Sequence, residues 1–229
     1  LTAITVDPAN EVYASSDGVL FNKTSTTLIK YPGGKTGAYT IPASVTSIAN
    51  NAVAGCTGLT KLVIGTGMTS IGWAMLCNCS GLTSVTVHPG VTSIDEYAFN
   101  NSPALTSVLF QGLPPTLNGI FVFTGTPATI YYLPAYASNW PSSFGYCPTL
   151  CWNPAVQRDA DFGFSKEGFF GFNIVGTANI PLVVEATTNL SSGVWTSLTN
   201  ATLGASAALY FSDSASSGYP SRFYRIVWP

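Results

Sequence analysis

Apolar residues recur along the first two thirds of the chain in two short blocks that return together at a fixed interval. Val45-Thr-Ser-Ile48 comes back as Met68-Thr-Ser-Ile71 and as Val91-Thr-Ser-Ile94, 23 residues on each time. Leu59-Thr-Lys-Leu62-Val-Ile64, Leu82-Thr-Ser-Val85-Thr-Val87 and Leu105-Thr-Ser-Val108-Leu-Phe110 keep the same interval, and Leu1-Thr-Ala-Ile4-Thr-Val6 reads as a further copy. Within each longer block, alternation sends Leu, Leu/Val and Ile/Val to one face and Thr, Lys or Ser to the other, which is the period of an extended strand. A single coil carrying one such strand cannot bury its apolar row. Coils must therefore stack, and the pattern predicts a β-solenoid with a 23-residue period.

The approach to each strand narrows the prediction. Cys56-Thr-Gly-Leu59 and Cys79-Ser-Gly-Leu82, with Ser102-Pro-Ala-Leu105 as a variant, resemble the BspA-type leucine-rich repeats of bacterial surface proteins. Asn10-Glu-Val-Tyr13 through Asp17-Gly18 to Tyr31-Pro32 is similar to the β-hairpin such proteins insert, here near residues 12–31, and Asp17-Gly18 suits a two-residue hairpin turn. The Ala-Phe pair of the family survives at Ala98-Phe99 and is replaced by Ala52-Val53 and Met75-Leu76, so an irregular return side is expected. The resemblance covers residues 1–151 and implies a leucine-rich-repeat solenoid at the cell surface that binds host or matrix protein, while a structural role and a glycan ligand stay open beside it.

After Trp152 the interval disappears. Residues 152–168 concentrate Asp159, Asp161, Lys166 and Glu167 and read as a charged linker. Residues 169–175, 180–186, 194–198, 208–212 and 222–227 are strand candidates separated by Gly- and Ser-rich turns, which predicts a small antiparallel β-sandwich over 169–229. Glu185-Ala-Thr-Thr-Asn-Leu190 and Arg222-Phe-Tyr-Arg225 resemble terminal β-modules of large secreted bacterial proteins. The chain as a whole is expected to be mainly β.

Composition agrees and removes several functions. The chain holds 27 Thr, 24 Ser and 14 Asn beside 46% hydrophobic residues, as strands with uncharged polar faces require. Charged residues make up 8% and the formal net charge is −2, so the footprint of a nucleic-acid binder is missing. No apolar run is long enough to span a bilayer. Leu1 opens directly on a strand-like pattern, as expected of a chain whose beginning has been removed.

Few titratable groups exist to converge on a substrate, so no enzyme and no cofactor are expected. The one histidine, His88, stands with Pro89-Gly90 where the preceding coil has Gly65-Thr66-Gly67, and is expected as a solvated imidazole on a turn. Nucleophile elbows, zinc-binding helices, phosphate loops and dinucleotide fingerprints are absent from the sequence. Asp95 and Glu96, being adjacent, would point to opposite faces of a strand rather than face each other as acid and base. Asp159, Asp161 and Glu167 carry the oxygen chemistry of a Ca²⁺ site without the regular loop spacing, and a charged linker is the simpler reading.

Cys56 and Cys79 sit one coil apart, stacked at about 4.8 Å with parallel side-chain directions, and are expected as a buried ladder rather than a disulfide. Serine at either position is expected to cost on the order of 1–3 kcal/mol through a poorly paired buried hydroxyl. Cys147 and Cys151 bracket Pro148-Thr-Leu150, and an extracellular compartment would permit a disulfide there. Cys77 is the odd thiol, and its alternation with Cys79 argues against zinc. Trp73, Tyr97, Tyr131, Tyr132, Tyr136, Trp140 and Tyr146 leave three roles open: packing, a sugar platform or a protein contact. Leu1, Ile4 and Val6 form an apolar row with no cap before it. Joined to the strand containing Ile226 and Trp228 in another copy, they would give a head-to-tail homopolymer.

Overall fold

In the computed structural model, which describes residues 1–229, the chain forms two units, Leu1–Leu150 and Cys151–Pro229. The strands of the first part are, in chain order, β1 (Tyr13–Ser16), β2 (Val19–Asn22), β3 (Thr27–Lys30), β4 (Gly37–Thr40), β5 (Ser47–Ile48), β6 (Leu59–Val63), β7 (Ser70–Ile71), β8 (Ser84–Val87), β9 (Ser93–Asp95), β10 (Ser107–Phe110), β11 (Thr116–Asn118), β12 (Thr129–Tyr132), β13 (Ser143–Phe144) and β14 (Cys147–Cys151).

The longer repeat blocks become β6, β8 and β10. With β4 and β12 they make a parallel sheet in the order β4-β6-β8-β10-β12, continued by β14 and β13. Its register places Leu62, Val85, Val108 and Ile130 side by side, all buried. The sequence reading allotted one strand to each coil. The Val-Thr-Ser-Ile block forms a second, shorter one, and β7, β9 and β11 make their own parallel ladder with Ile71, Ile94 and Leu117 in register. Ile71 and Ile94 are fully buried, so the core lies between the two ladders.

Thr60, Thr83, Thr106 and Thr129 continue the first ladder, Thr83 and Thr106 lying just before their strands: each of the last three N–H groups donates to the carbonyl of the threonine one coil earlier. The return side carries no helix. Left-handed residues turn the chain there, at Asn51, Ala74 and Tyr97 (φ 58°, 50° and 62°) and at Gly55, Asn78, Asn101 and Gly125 (φ 72°, 59°, 53° and 73°). The expected hairpin is β1–β2, whose turn residues Asp17 and Gly18 both have positive φ (50° and 72°), the conformation of a type I′ turn. At the far end Trp140 stacks on Tyr132 at 5.6 Å and meets Phe144 edge-on at 5.2 Å, closing the core with rings.

Leu1–Val6 departs from expectation, because it forms no strand. Ile4 N–H donates to Gly18 O and Val6 N–H to Ser15 Oγ, while Leu1 O accepts from Gly34 N–H. The inserted hairpin takes the Ile4 and Val6 amides that a neighbouring coil would otherwise engage. Leu1 is left 79% exposed.

In the second unit the strands are β15 (Ala155–Gln157), β16 (Gly163–Phe164), β17 (Phe170–Val175), β18 (Pro181–Thr187), β19 (Thr196–Thr202), β20 (Ala208–Asp213) and β21 (Phe223–Val227). All pairings are antiparallel: β15, β16 and β20 pair with β17, and β18 lies between β19 and β21. The stretch read as a linker therefore supplies two strands, with its charges gathered at their turns. Phe170 stacks on Tyr224 at 5.2 Å, which packs one sheet against the other. Behind them Asp213 is buried, its Oδ2 2.6 Å from Arg222 Nε and accepting from Tyr224 OH at 2.9 Å. Burial, helped by that carboxylate, pushes the Tyr224 hydroxyl up to about 12.

Candidate functional site

On the solenoid, the residues that follow the short ladder build an exposed aromatic stripe. Ladder register aligns Gly72, Asp95 and Asn118, so Trp73, Glu96 and Gly119 occupy one position in three successive coils. Tyr97 follows Glu96 with a left-handed backbone. Its ring stands 6.0 Å from Trp73, edge to face at 76°, and 5.6 Å from Phe121, stacked at 12°. Trp73 is 52% exposed, Phe121 40% and the adjoining Ile120 62%. Beneath the stripe, Phe99 and Phe123 repeat the stacking inside the core at 4.8 Å. Three large apolar side chains thus stand partly in water at neighbouring positions. Phe121 stacks on one face of Tyr97 and closes it to a ligand, while Trp73 stays half exposed beside the pair.

Glu96 is half-buried, and Gly119 lies directly against its Cβ and Cγ. Its carboxylate enters no ion pair. The three ion pairs are Lys35–Asp17, Arg222–Asp213 and Arg225–Glu185. Asp95 accepts from Asn118 Nδ2 at 2.8 Å. A cleft lined by Ile48, Asn50, Met68 and Met75 opens beside Trp73.

The remaining candidates fall out differently. His88 is buried, not solvated: Gly90 N–H donates to its Nδ1 at 3.0 Å, which leaves Nε2–H to donate to Met68 O at 2.7 Å. It is a strut that ties one turn to the coil before it. Asp159 and Asp161 converge, but on the amide of Asn173, whose Nδ2 donates to both (2.9 and 3.2 Å) and occupies the space with a donor where a cation needs oxygen. Glu167 does not join them. The Ser165 hydroxyl holds its carboxyl below the usual range, and no three acidic, histidine or cysteine side chains gather anywhere.

Cys147 and Cys151 stand at the two ends of β14, so four residue-to-residue steps of extended chain set them about 13 Å apart. Both are free, and that spacing lies well beyond disulfide reach. Cys56 and Cys79 are free and fully buried. Ser102 and Thr126 continue their column. Cys79 Sγ donates to Val53 O at 3.3 Å and faces the N–H groups of Cys56 and Gly55. Ser102 Oγ likewise donates to Leu76 O at 2.8 Å and accepts from Cys79 N–H at 3.1 Å. A hydroxyl at position 79 would find the same partners, so the expected penalty for serine does not apply there.

Trp140 and Tyr131 are buried, Tyr132 and Tyr136 half-buried, and Tyr146 fully out on a turn. Phe121 and Ile120 were not singled out from sequence, although the 24-residue steps Trp73, Tyr97, Phe121 could have revealed the former. Of the assembly residues, Ile4 and Val6 are half-buried beside the hairpin, Ile226 pairs with Val184 inside its own sheet, and Trp228 meets Trp152 edge-on at 5.8 Å.

The BspA type leucine rich repeat region matches residues 34–150 in six copies. Similar solved structures include a leucine rich cell surface protein from Faecalibacterium prausnitzii (22% identity, 58% of this chain and 42% of that one, TM-score 0.42). Others are a leucine-rich repeat protein from Eubacterium ventriosum (23%, 47% and 42%, 0.32) and the pneumococcal vaccine antigen PcpA (18%, 66% and 50%, 0.42). The chain spans half or less of the length of each. No curated protein matches it.

Proposed function

The chain belongs to the BspA-type leucine-rich-repeat family, and from that premise we propose that it is a non-enzymatic surface protein whose solenoid adheres to a protein partner. The observation that carries this reading is the Trp73–Tyr97–Phe121 stripe with Ile120 beside it, set on a scaffold whose only histidine is engaged on both nitrogens. Clustered rings and an aliphatic neighbour suit the apolar centre of a protein interface, where aromatic anchors supply most of the energy. Sugar stacking is served less well, because Tyr97 and Phe121 stack on each other.

Beads coated with the protein, allowed to settle on surfaces carrying collagen, fibronectin or laminin and on a glycan array, test the reading. Retention on a protein surface, lost when Trp73→Ala and Phe121→Ala are combined, is the expected result. Retention that the double variant leaves intact, or retention on glycans alone, overturns it. Sedimentation of the same samples across concentration reads out head-to-tail association separately.

A further inference from the structure

We infer that the stripe contains a cation subsite, formed by Trp73, Glu96 and Tyr97, that receives an arginine side chain of the partner. The inference rests on the docking role proposed above and specifies the chemistry it recognises. Three observations converge on it. Trp73 and Glu96 are one coil apart at the same ladder position, so a half-exposed indole and a half-buried carboxylate share a neighbourhood. The next residue in that column is Gly119, against whose backbone the Cβ and Cγ of Glu96 lie, so the stem of that carboxylate is held in the column. Finally, the sequence has no Lys or Arg between Lys61 and Arg158, so Glu96 has no basic residue of its own unit near it in the sequence and enters no ion pair.

An aromatic face beside an uncompensated carboxylate is complementary to a cation, which gains from the ring quadrupole and from the charge together. Arginine fits better than lysine. Its planar guanidinium can lie on a ring while its edge hydrogen-bonds a carboxylate, and its methylene stem can run along apolar surface such as the cleft of Ile48, Met68 and Met75.

Fluorescence anisotropy of the full chain with labelled Gly-Ser-Arg-Ser-Arg-Ser-Gly tests this, with lysine, citrulline and glutamate versions as comparisons. Expected are saturable binding of the arginine peptide, weaker binding of lysine and none of citrulline or glutamate. Glu96→Gln, which keeps the shape, should weaken the arginine peptide at least fivefold, as should Trp73→Leu, while Glu11→Gln on the distant N-terminal segment should not. Glu96→Lys should abolish binding. Equal affinity for arginine and citrulline, no binding of the arginine peptide, or binding indifferent to both Glu96→Gln and Glu96→Lys overturns the subsite. If bead retention still depends on Trp73 and Phe121 in that event, docking survives without cation selectivity; if it does not, both fall.

Discussion

The column Cys56, Cys79, Ser102 and Thr126 shows how much one side chain can do in a stacked coil. From position 102 an oxygen donates to a carbonyl in the coil before and accepts an amide from it, with sulfur doing the same at 79. Cys79→Ser should therefore stay within about 1 kcal/mol of wild type, whereas Ser102→Ala, which orphans two buried backbone groups, should cost on the order of 1–3 kcal/mol in urea unfolding. Burial also pushes the Cys56 and Cys147 thiols up to about 11 from an ordinary value of 9. A raised thiol favours the neutral form in the folded state, so its contribution is complete below pH 9 and lost as pH rises toward 11. Unfolding free energy should fall across that window, less steeply in Cys56→Ala, and a decline unaltered by that substitution would assign the effect elsewhere. From the sequence Ser102 could be seen to replace cysteine. The partners that make the exchange neutral lie 23 and 26 residues away, at Cys79 and Leu76, and depend on stacking that no local pattern records.

At the level of the element, each coil turns on glycine at close approaches and on left-handed residues at its corners. A Cβ on Gly81 would meet the Thr57 carbonyl oxygen, part of the backbone and unable to give way. Gly81→Ala should cost on the order of 2 kcal/mol. Asn51, exposed at φ 58°, should behave oppositely: Asn51→Gly neutral or slightly stabilising, Asn51→Val destabilising by about 1–2 kcal/mol, both read from thermal melts. The parallel strands were legible because their inward residues repeat at one interval. The short ladder was less so, since two residues at Ser70–Ile71 carry too little alternation to announce a strand. Leu1–Val6 shows the opposite failure: its pattern is that of a strand, yet the hairpin competes for its amides. In the later unit, β17, β18, β20 and β21 lie within about two residues of their expected spans, and only β19 is displaced, toward Thr202.

Over the whole molecule, the two units have separate sheets and separate cores, so residues 1–150 expressed alone should unfold cooperatively with the solenoid's own transition. A non-cooperative melt of that fragment would show that the second unit is needed to complete it. The aromatic stripe was half legible: Trp73 and Tyr97 stood out as rings, while their exposure, and the company of Phe121 and Glu96, follow only from where the coil corners fall. The base-free stretch from Lys61 to Arg158 bears, finally, on how the molecule is broken down. Proteases of trypsin-like specificity cut after lysine or arginine and find no bond to cleave across most of the solenoid, folded or unfolded. The stacked coils would thus survive such digestion as one long peptide even when heat or denaturant has opened them, and their durability in a protease-rich setting would owe as much to composition as to folding.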